Sequence, residues 1–122
     1  MKSMRILVAD DQPKVRFALR VALERQPGDK AIGEAIDAND LVAQAKSVCP
    51  DLVLLDWDLP GMSAGEILHQ LRQRCPFLKV IVLSEKSELA QTAMAIGADA
   101  FVSKTDLPEH LLAAINECWC KP

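Results

Sequence analysis

The sequence predicts an α/β domain: a doubly wound sheet of five parallel strands with five helices distributed over both faces. Three observations carry this expectation. Short, β-branched apolar runs alternate five times with longer stretches whose apolar residues recur at helical spacing. All the runs but the second are almost unbroken apolar blocks, as strands covered on both faces require. Right-handed βαβ crossovers then wind such units into one sheet, with any ligand site at the carboxyl ends of the strands. A chain of 122 residues suffices for one core of this kind and not for two. Residues 1–122 are therefore read as a single domain.

Each element has its own signals. The first strand covers residues 5–9. Asp11 is expected to cap the next helix, with Pro13 in its first turn; Val15, Ala18, Leu19, Ala22 and Leu23 form its apolar stripe, and Pro27-Gly28 ends it. The second strand, 30–36, is less apolar and reads as an edge strand. Asn39 can cap the second helix, which turns Leu41, Val42 and Ala45 inward and stops at Pro50. The third strand is 52–56. Ser63 opens the third helix, with Ile67, Leu68 and Leu71 inward and Pro76 as its stop. The fourth strand, 79–84, leads to a helix opened by Lys86 or Ser87 and closed on Gly97. The fifth strand, 100–103, precedes a helix opened by Pro108, with Leu111, Leu112 and Ile115 inward.

Composition excludes several classes of function. A net charge of −3 argues against direct nucleic-acid contact, which draws on a basic excess to displace counterions from phosphates. The apolar run near the start lasts only from Ile6 to Ala9 before two aspartates, too short for a signal peptide. No segment approaches the roughly 18 apolar residues that span a bilayer, and a cytoplasmic location is expected. The cysteines, Cys49, Cys75, Cys118 and Cys120, form neither a CxxC pair nor a zinc-binding set. Reduced thiols are expected, with Cys49 and Cys75, each before a proline at a helix end, as core filler.

The chemistry stands at the strand ends. Strand one finishes in Asp10-Asp11, strand three in Asp56, strand four in Ser84 and strand five in Lys104. In a doubly wound sheet these ends share one rim. Three converging carboxylates repel unless a cation neutralises them, and Mg²⁺ suits a site with few carboxylates that also takes an oxygen from a phosphate. One carboxylate can then attack a phosphoryl donor while Lys104 balances charge on the transferred group. Taken singly, Asp11 could be a helix cap, Lys104 a solvated turn residue and Ser84 a capping serine. It is the set on four strand ends that points to phosphoryl chemistry.

These residues lie in segments that resemble the receiver domains of bacterial two-component response regulators over nearly the whole chain. ILVADDQP is similar to that family's first strand and acidic pair, DLVLLDWDLPGMSAGEIL to its phosphorylation loop, VIVLSE to its Ser/Thr strand and GADAFVSK to its fifth strand. The resemblance implies the flavodoxin-like strand order 2-1-3-4-5. It implies Asp56 as phospho-acceptor, and Mg²⁺ held by Asp10, Asp11, Asp56 and the backbone carbonyl of Asp58. Ser84 becomes the switch hydroxyl, Phe101 the aromatic that follows it and Lys104 the phosphoryl partner. A sensor histidine kinase is the implied donor, a homodimer formed on phosphorylation an implied outcome, and the domain itself is not an enzyme that turns over substrate. DLPGMSAGEIL and GADAF particularly resemble receivers that precede a LuxR-type helix-turn-helix domain, so an origin in a longer transcription regulator is expected; a stand-alone receiver fits equally.

Three positions depart from the family pattern. Glu85 follows the switch hydroxyl where a small residue is usual. Thr105 follows Lys104 in place of a cis-proline, which leaves the ammonium position open. The aromatic is Phe101, which has no hydroxyl and could be an ordinary core residue. Two rival readings exist: a pseudo-receiver that signals without phosphate, and a haloacid-dehalogenase-like phosphatase built on Asp56-Trp57-Asp58, whose chain order is the reverse of this one. A dinucleotide-binding unit is disfavoured because no glycine-rich turn follows the first strand. Lys86, Glu88, Gln91 and His110 are expected on the face that changes on activation in the family.

Overall fold

The computed structural model describes residues 4–120, with the side chains of Trp119 and Cys120 outside the described set. Five parallel strands run in the order β2-β1-β3-β4-β5: β1 Met4–Ala9, β2 Lys30–Ala35, β3 Leu52–Asp56, β4 Lys79–Ser84 and β5 Ala100–Ser103. The helices are α1 Pro13–Glu24, α2 Ala38–Ser47, α3 Ala64–Arg74, α4 Ala90–Ala95 and α5 Glu109–Cys120, with short 3₁₀ turns at Ser87–Leu89 and Lys104–Asp106. The doubly wound sheet and its strand order are as expected, and the polar second strand is an edge.

The pleat sends alternate side chains to opposite faces and so divides the core in two. Ile6, Val8, Leu52, Leu54, Ile81, Leu83 and Val102 pack against Leu19 and Leu23 of α1 and Leu111 and Ile115 of α5. Leu7, Val53, Leu55, Val80 and Val82 pack on the other side against Leu41 and Ala45 of α2, Ile67, Leu68 and Leu71 of α3, and Ala93 of α4. The apolar runs of the central strands are continuous because both faces are covered. Among the described residues no helix is long and apolar enough to cross a membrane.

Two helix caps differ from expectation. The residue before α1 is Gln12, whose side chain makes no cap; its N–H is taken instead by Asp10 Oδ1 at 2.9 Å, and Asp11 stays out of the helix altogether. At α2 the cap is Asp37, not Asn39: Asp37 Oδ1 accepts from Asp40 N at 2.7 Å, and Asp40 Oδ2 accepts from Ile36 N at 3.1 Å. Two carboxylates exchanging bonds with backbone N–H groups hold this start better than one amide. Ser63 caps α3 as expected, accepting from Glu66 N at 3.2 Å. Gly97 closes α4 with φ +104°, where a side chain would be strained.

The expectation of reduced thiols is corrected for one pair. Cys49 and Cys75 form a disulfide with their Cα atoms 5.7 Å apart. Cys49-Pro50 leads into β3 and Cys75-Pro76 into β4, and these strands pair side by side from Leu52 opposite Lys79. Cys49 stands three residues before Leu52 and Cys75 four before Lys79, so the entries to these adjacent parallel strands bring the two together, a proximity that chain spacing alone does not reveal. Cys118 packs on the α1/α5 side of the core; the side chain of Cys120 lies outside the described residues.

Candidate functional site

The register of the sheet builds the site. Ala9 of β1 pairs with Leu55 of β3, so Asp10 and Asp56 follow at equal height on adjacent strands. The two residues are only 1% and 4% exposed, whereas Asp11, one residue further, is exposed. One carboxylate oxygen from each of Asp10, Asp11 and Asp56 lies within 4.8 Å of the others. From beyond β5, Lys104 reaches back across the rim, with Nζ 2.7 Å from Asp10 Oδ2 and 3.1 Å from Asp56 Oδ1. Asp56 Oδ1 also accepts from the Asp58 N–H at 3.2 Å, on the turn that follows β3.

The charges do not balance. Burial and then the neighbouring Asp10 charge push the Asp56 carboxyl above its usual range, against hydrogen bonding and attraction from Lys104 and the Asp58 N–H. Burial acts to lower the Lys104 ammonium, but hydrogen bonds to Asp10 and Asp56 and their charges outweigh it and the net direction is up. Three carboxylates therefore face one ammonium. Two buried carboxylates, one open carboxylate and, among the described residues, no cation other than Lys104 paired with them make a donor set that fits a hard divalent ion.

The remaining expected residues surround this centre. Ser84 is buried at the end of β4, one residue past Leu83, the partner of Asp56, and its Oγ accepts from Lys86 N at 3.0 Å. Glu85 is exposed, as are Lys86, Glu88, Gln91 and His110. Phe101 is neither a fully buried core residue nor free: it leans on the α2/α3 side of the core and lines a surface cavity of about 370 Å³ with Ser87, Ala90, Asp106 and His110. The peptide between Lys104 and Thr105 is trans, and Ser103 Oγ holds the turn by accepting from Thr105 N at 3.3 Å and bonding Thr105 Oγ1 at 2.8 Å. With this turn Lys104 meets both carboxylates without a proline after it.

Sequence reading missed a brace behind the acidic pair. Arg16 Nη1 donates to the Asp10 carbonyl oxygen at 2.8 Å, and its Nε donates to Glu34 Oε1 at 2.9 Å. The available signal was Glu34, an acid inside an edge strand one position before its end.

A parallel α/β sheet that gathers three carboxylates, a hydroxyl and an ammonium at its strand ends defines a class of module equipped for phosphoryl chemistry. Comparison with known proteins narrows the class. Residues 6–116 match the model of the response regulator receiver domain. The chain is 37% identical to the transcriptional activator protein ExaE of Pseudomonas putida over 93% of its own length and 54% of that protein. It is 34% identical to the nitrate/nitrite response regulator protein NarL of Escherichia coli K12, over 92% of this chain and 53% of that one. The chain thus spans about half the length of these curated relatives. Among solved structures it is similar to a two-component response regulator of the LuxR family from Aurantimonas, with TM-score 0.85, 31% identity, and 95% of this chain and 84% of that one covered. The chain belongs to the response regulator receiver domain family.

Proposed function

We propose that this domain is a phosphorylation-dependent switch that accepts one phosphoryl group on Asp56 from a sensor histidine kinase. The observation that carries the proposal is the shared Lys104 ammonium between Asp10 and Asp56 at the rim where Asp11 also opens. In the transfer, an Asp56 oxygen attacks phosphorus, the bond from phosphorus to the donor's imidazole nitrogen breaks, and the imidazole leaves with its electron pair. Lys104 balances negative charge on the equatorial oxygens. Ser84 offers its O–H to one of them, a donor that its Oγ retains while accepting from Lys86 N, and Phe101 can move into space that opens if Ser84 shifts toward the phosphoryl group.

Asp10, Asp11, Asp56 and the Asp58 carbonyl would hold Mg²⁺. When bound, the ion supplies neutralisation of the carboxylates and of the incoming phosphoryl oxygens. The matched relatives are about twice as long as this chain and carry names of transcription regulators, which supports residues 1–122 as the receiver part of a longer cytoplasmic regulator with a C-terminal helix-turn-helix domain. Homodimerisation on phosphorylation belongs to the same proposal, with DNA contact left to the other domain.

The test is intact-mass spectrometry after acetyl phosphate and Mg²⁺, comparing the parent chain with Asp56→Asn. One added phosphoryl per chain, absent in Asp56→Asn and without Mg²⁺, is the expected result. No adduct in the parent chain would support a phosphate-independent module instead. Continuous release of phosphate from a phosphomonoester would support a phosphatase.

A further inference from the structure

Asp11 is held by nothing at its own side chain: the carboxylate is exposed and makes no hydrogen bond or ion pair among the described residues. Its place beside Asp10 and Asp56 is therefore set by the backbone of the turn between β1 and α1. That turn is clamped from behind. Arg16 lies in the first turn of α1, and its guanidinium folds back to the Asp10 carbonyl oxygen, the oxygen of the Asp10–Asp11 peptide, at 2.8 Å. The same guanidinium is fixed through Nε to Glu34 Oε1 at 2.9 Å.

Glu34 is itself fixed on three sides. Its second oxygen takes Arg20 Nε at 3.0 Å, Arg20 Nη2 continues to the Ile32 carbonyl at 3.0 Å, and Gln44 Nε2 donates to the Glu34 carbonyl at 2.7 Å. The Arg16 hydrogen bond, opposed by burial and aided by Arg20, holds the Glu34 carboxyl below its usual range, so the brace is ionised at neutral pH.

We propose that Arg16, braced by Glu34, is a positioning residue for the cation pocket, aiming the Asp11 carboxylate at Asp10 and Asp56 by holding the peptide between Asp10 and Asp11. The inference rests on the reading of the acidic rim as a Mg²⁺ site. A planar guanidinium bonds a carbonyl and a carboxylate at once in fixed directions, whereas a lysine offers a single charged point. Groups that orient metal ligands without touching the metal are generally worth about ten- to a hundredfold in affinity. The sign of the effect is diagnostic. Deleting a positive charge near a cation site should tighten binding by simple electrostatics, while losing the aim of Asp11 should weaken it.

The experiment is a Mg²⁺ titration, with magnesium chloride alone, followed by the Mg²⁺-dependent change in tryptophan fluorescence, Trp57 being next to Asp56 and Trp119 the second fluorophore. It is run on the parent chain, Arg16→Ala, Arg16→Lys, Asp11→Asn and the Arg16→Ala/Asp11→Asn double variant. Urea unfolding in EDTA reports stability in parallel. Arg16→Ala is expected to weaken Mg²⁺ about tenfold, with Arg16→Lys between it and the parent. In the Asp11→Asn background the Arg16→Ala loss is expected to vanish, because the two act through one ligand. Equal or tighter Mg²⁺ binding in folded Arg16→Ala overturns the proposal, and so does an undiminished loss in the Asp11→Asn background. If Arg16→Ala does not fold, the Arg16→Lys comparison decides by the same criteria. A parent chain that binds no Mg²⁺ overturns the cation reading itself, a different result from any of these.

Discussion

Lys104 Nζ stands 2.7 Å from Asp10 Oδ2 and 3.1 Å from Asp56 Oδ1, so one ammonium serves two carboxylates buried on neighbouring strands. Its folded pKa is raised, so its stabilisation is complete below the ordinary lysine value and is lost only as pH climbs through the folded one, well above neutrality. Removing it leaves two buried anions facing each other, a change that costs about 3 kcal/mol when a buried pair is broken. Lys104→Met is expected to lose that much unfolding free energy in urea at neutral pH with EDTA present, and to regain part of it with Mg²⁺. A variant as stable as the parent in EDTA would contradict this account of the rim.

Asp56 gives the opposite sign. Its folded pKa is raised by burial and by Asp10, so as pH rises the unfolded chain releases this proton first, and ionisation favours unfolding. The penalty is absent below the unfolded carboxylate value and is complete above the folded one. Without Mg²⁺, Asp56→Asn is therefore expected to be more stable than the parent at neutral pH, and the gap should close as pH falls through the folded pKa. Urea midpoints across that range check it; a gap that widens on acidification contradicts it.

Glu85 follows the buried Ser84 and is exposed, with no ion pair among the described residues, so nothing in the fold neutralises its charge beside the rim. In water-like surroundings a charge a few ångströms away acts on an incoming anion with roughly 0.5–1 kcal/mol. Glu85→Ala is expected to speed acetyl-phosphate labelling about threefold at low ionic strength, with the advantage shrinking as salt screens the charge. An unchanged labelling rate rules the effect out.

The apolar blocks of β1, β3, β4 and β5 were legible because strands buried on both faces leave continuous runs, and the strand-end residues were legible because one fold brings such ends to one rim. The caps of α1 and α2 were not. Asp10, Asp11, Asp37, Asn39 and Asp40 are all capable caps, and only the backbone path decides which oxygen meets which N–H. The Arg16–Glu34 brace was hidden for a related reason: its key acceptor is the Asp10 carbonyl, a group every residue possesses. Cys49 and Cys75 carried matching prolines but no spacing signal, since their contact depends on β3 lying beside β4.

That bond provides the last prediction. It joins residues separated by 26 positions, and closing a loop of that size in the unfolded chain stabilises the fold by about 3 kcal/mol in the chain-entropy account. Cys49 is exposed while Cys75 is buried, so a reductant reaches the pair from the Cys49 side. The bridge lies at the strand starts, opposite the carboxylate rim. Reduction, or Cys49→Ala, is therefore expected to lower unfolding free energy by about 3 kcal/mol while leaving the Mg²⁺ affinity read by tryptophan fluorescence unchanged. Thiol labelling before and after reduction, with urea unfolding and Mg²⁺ titration on the same samples, checks both halves; two labelled thiols at these positions before reduction would show the bridge absent.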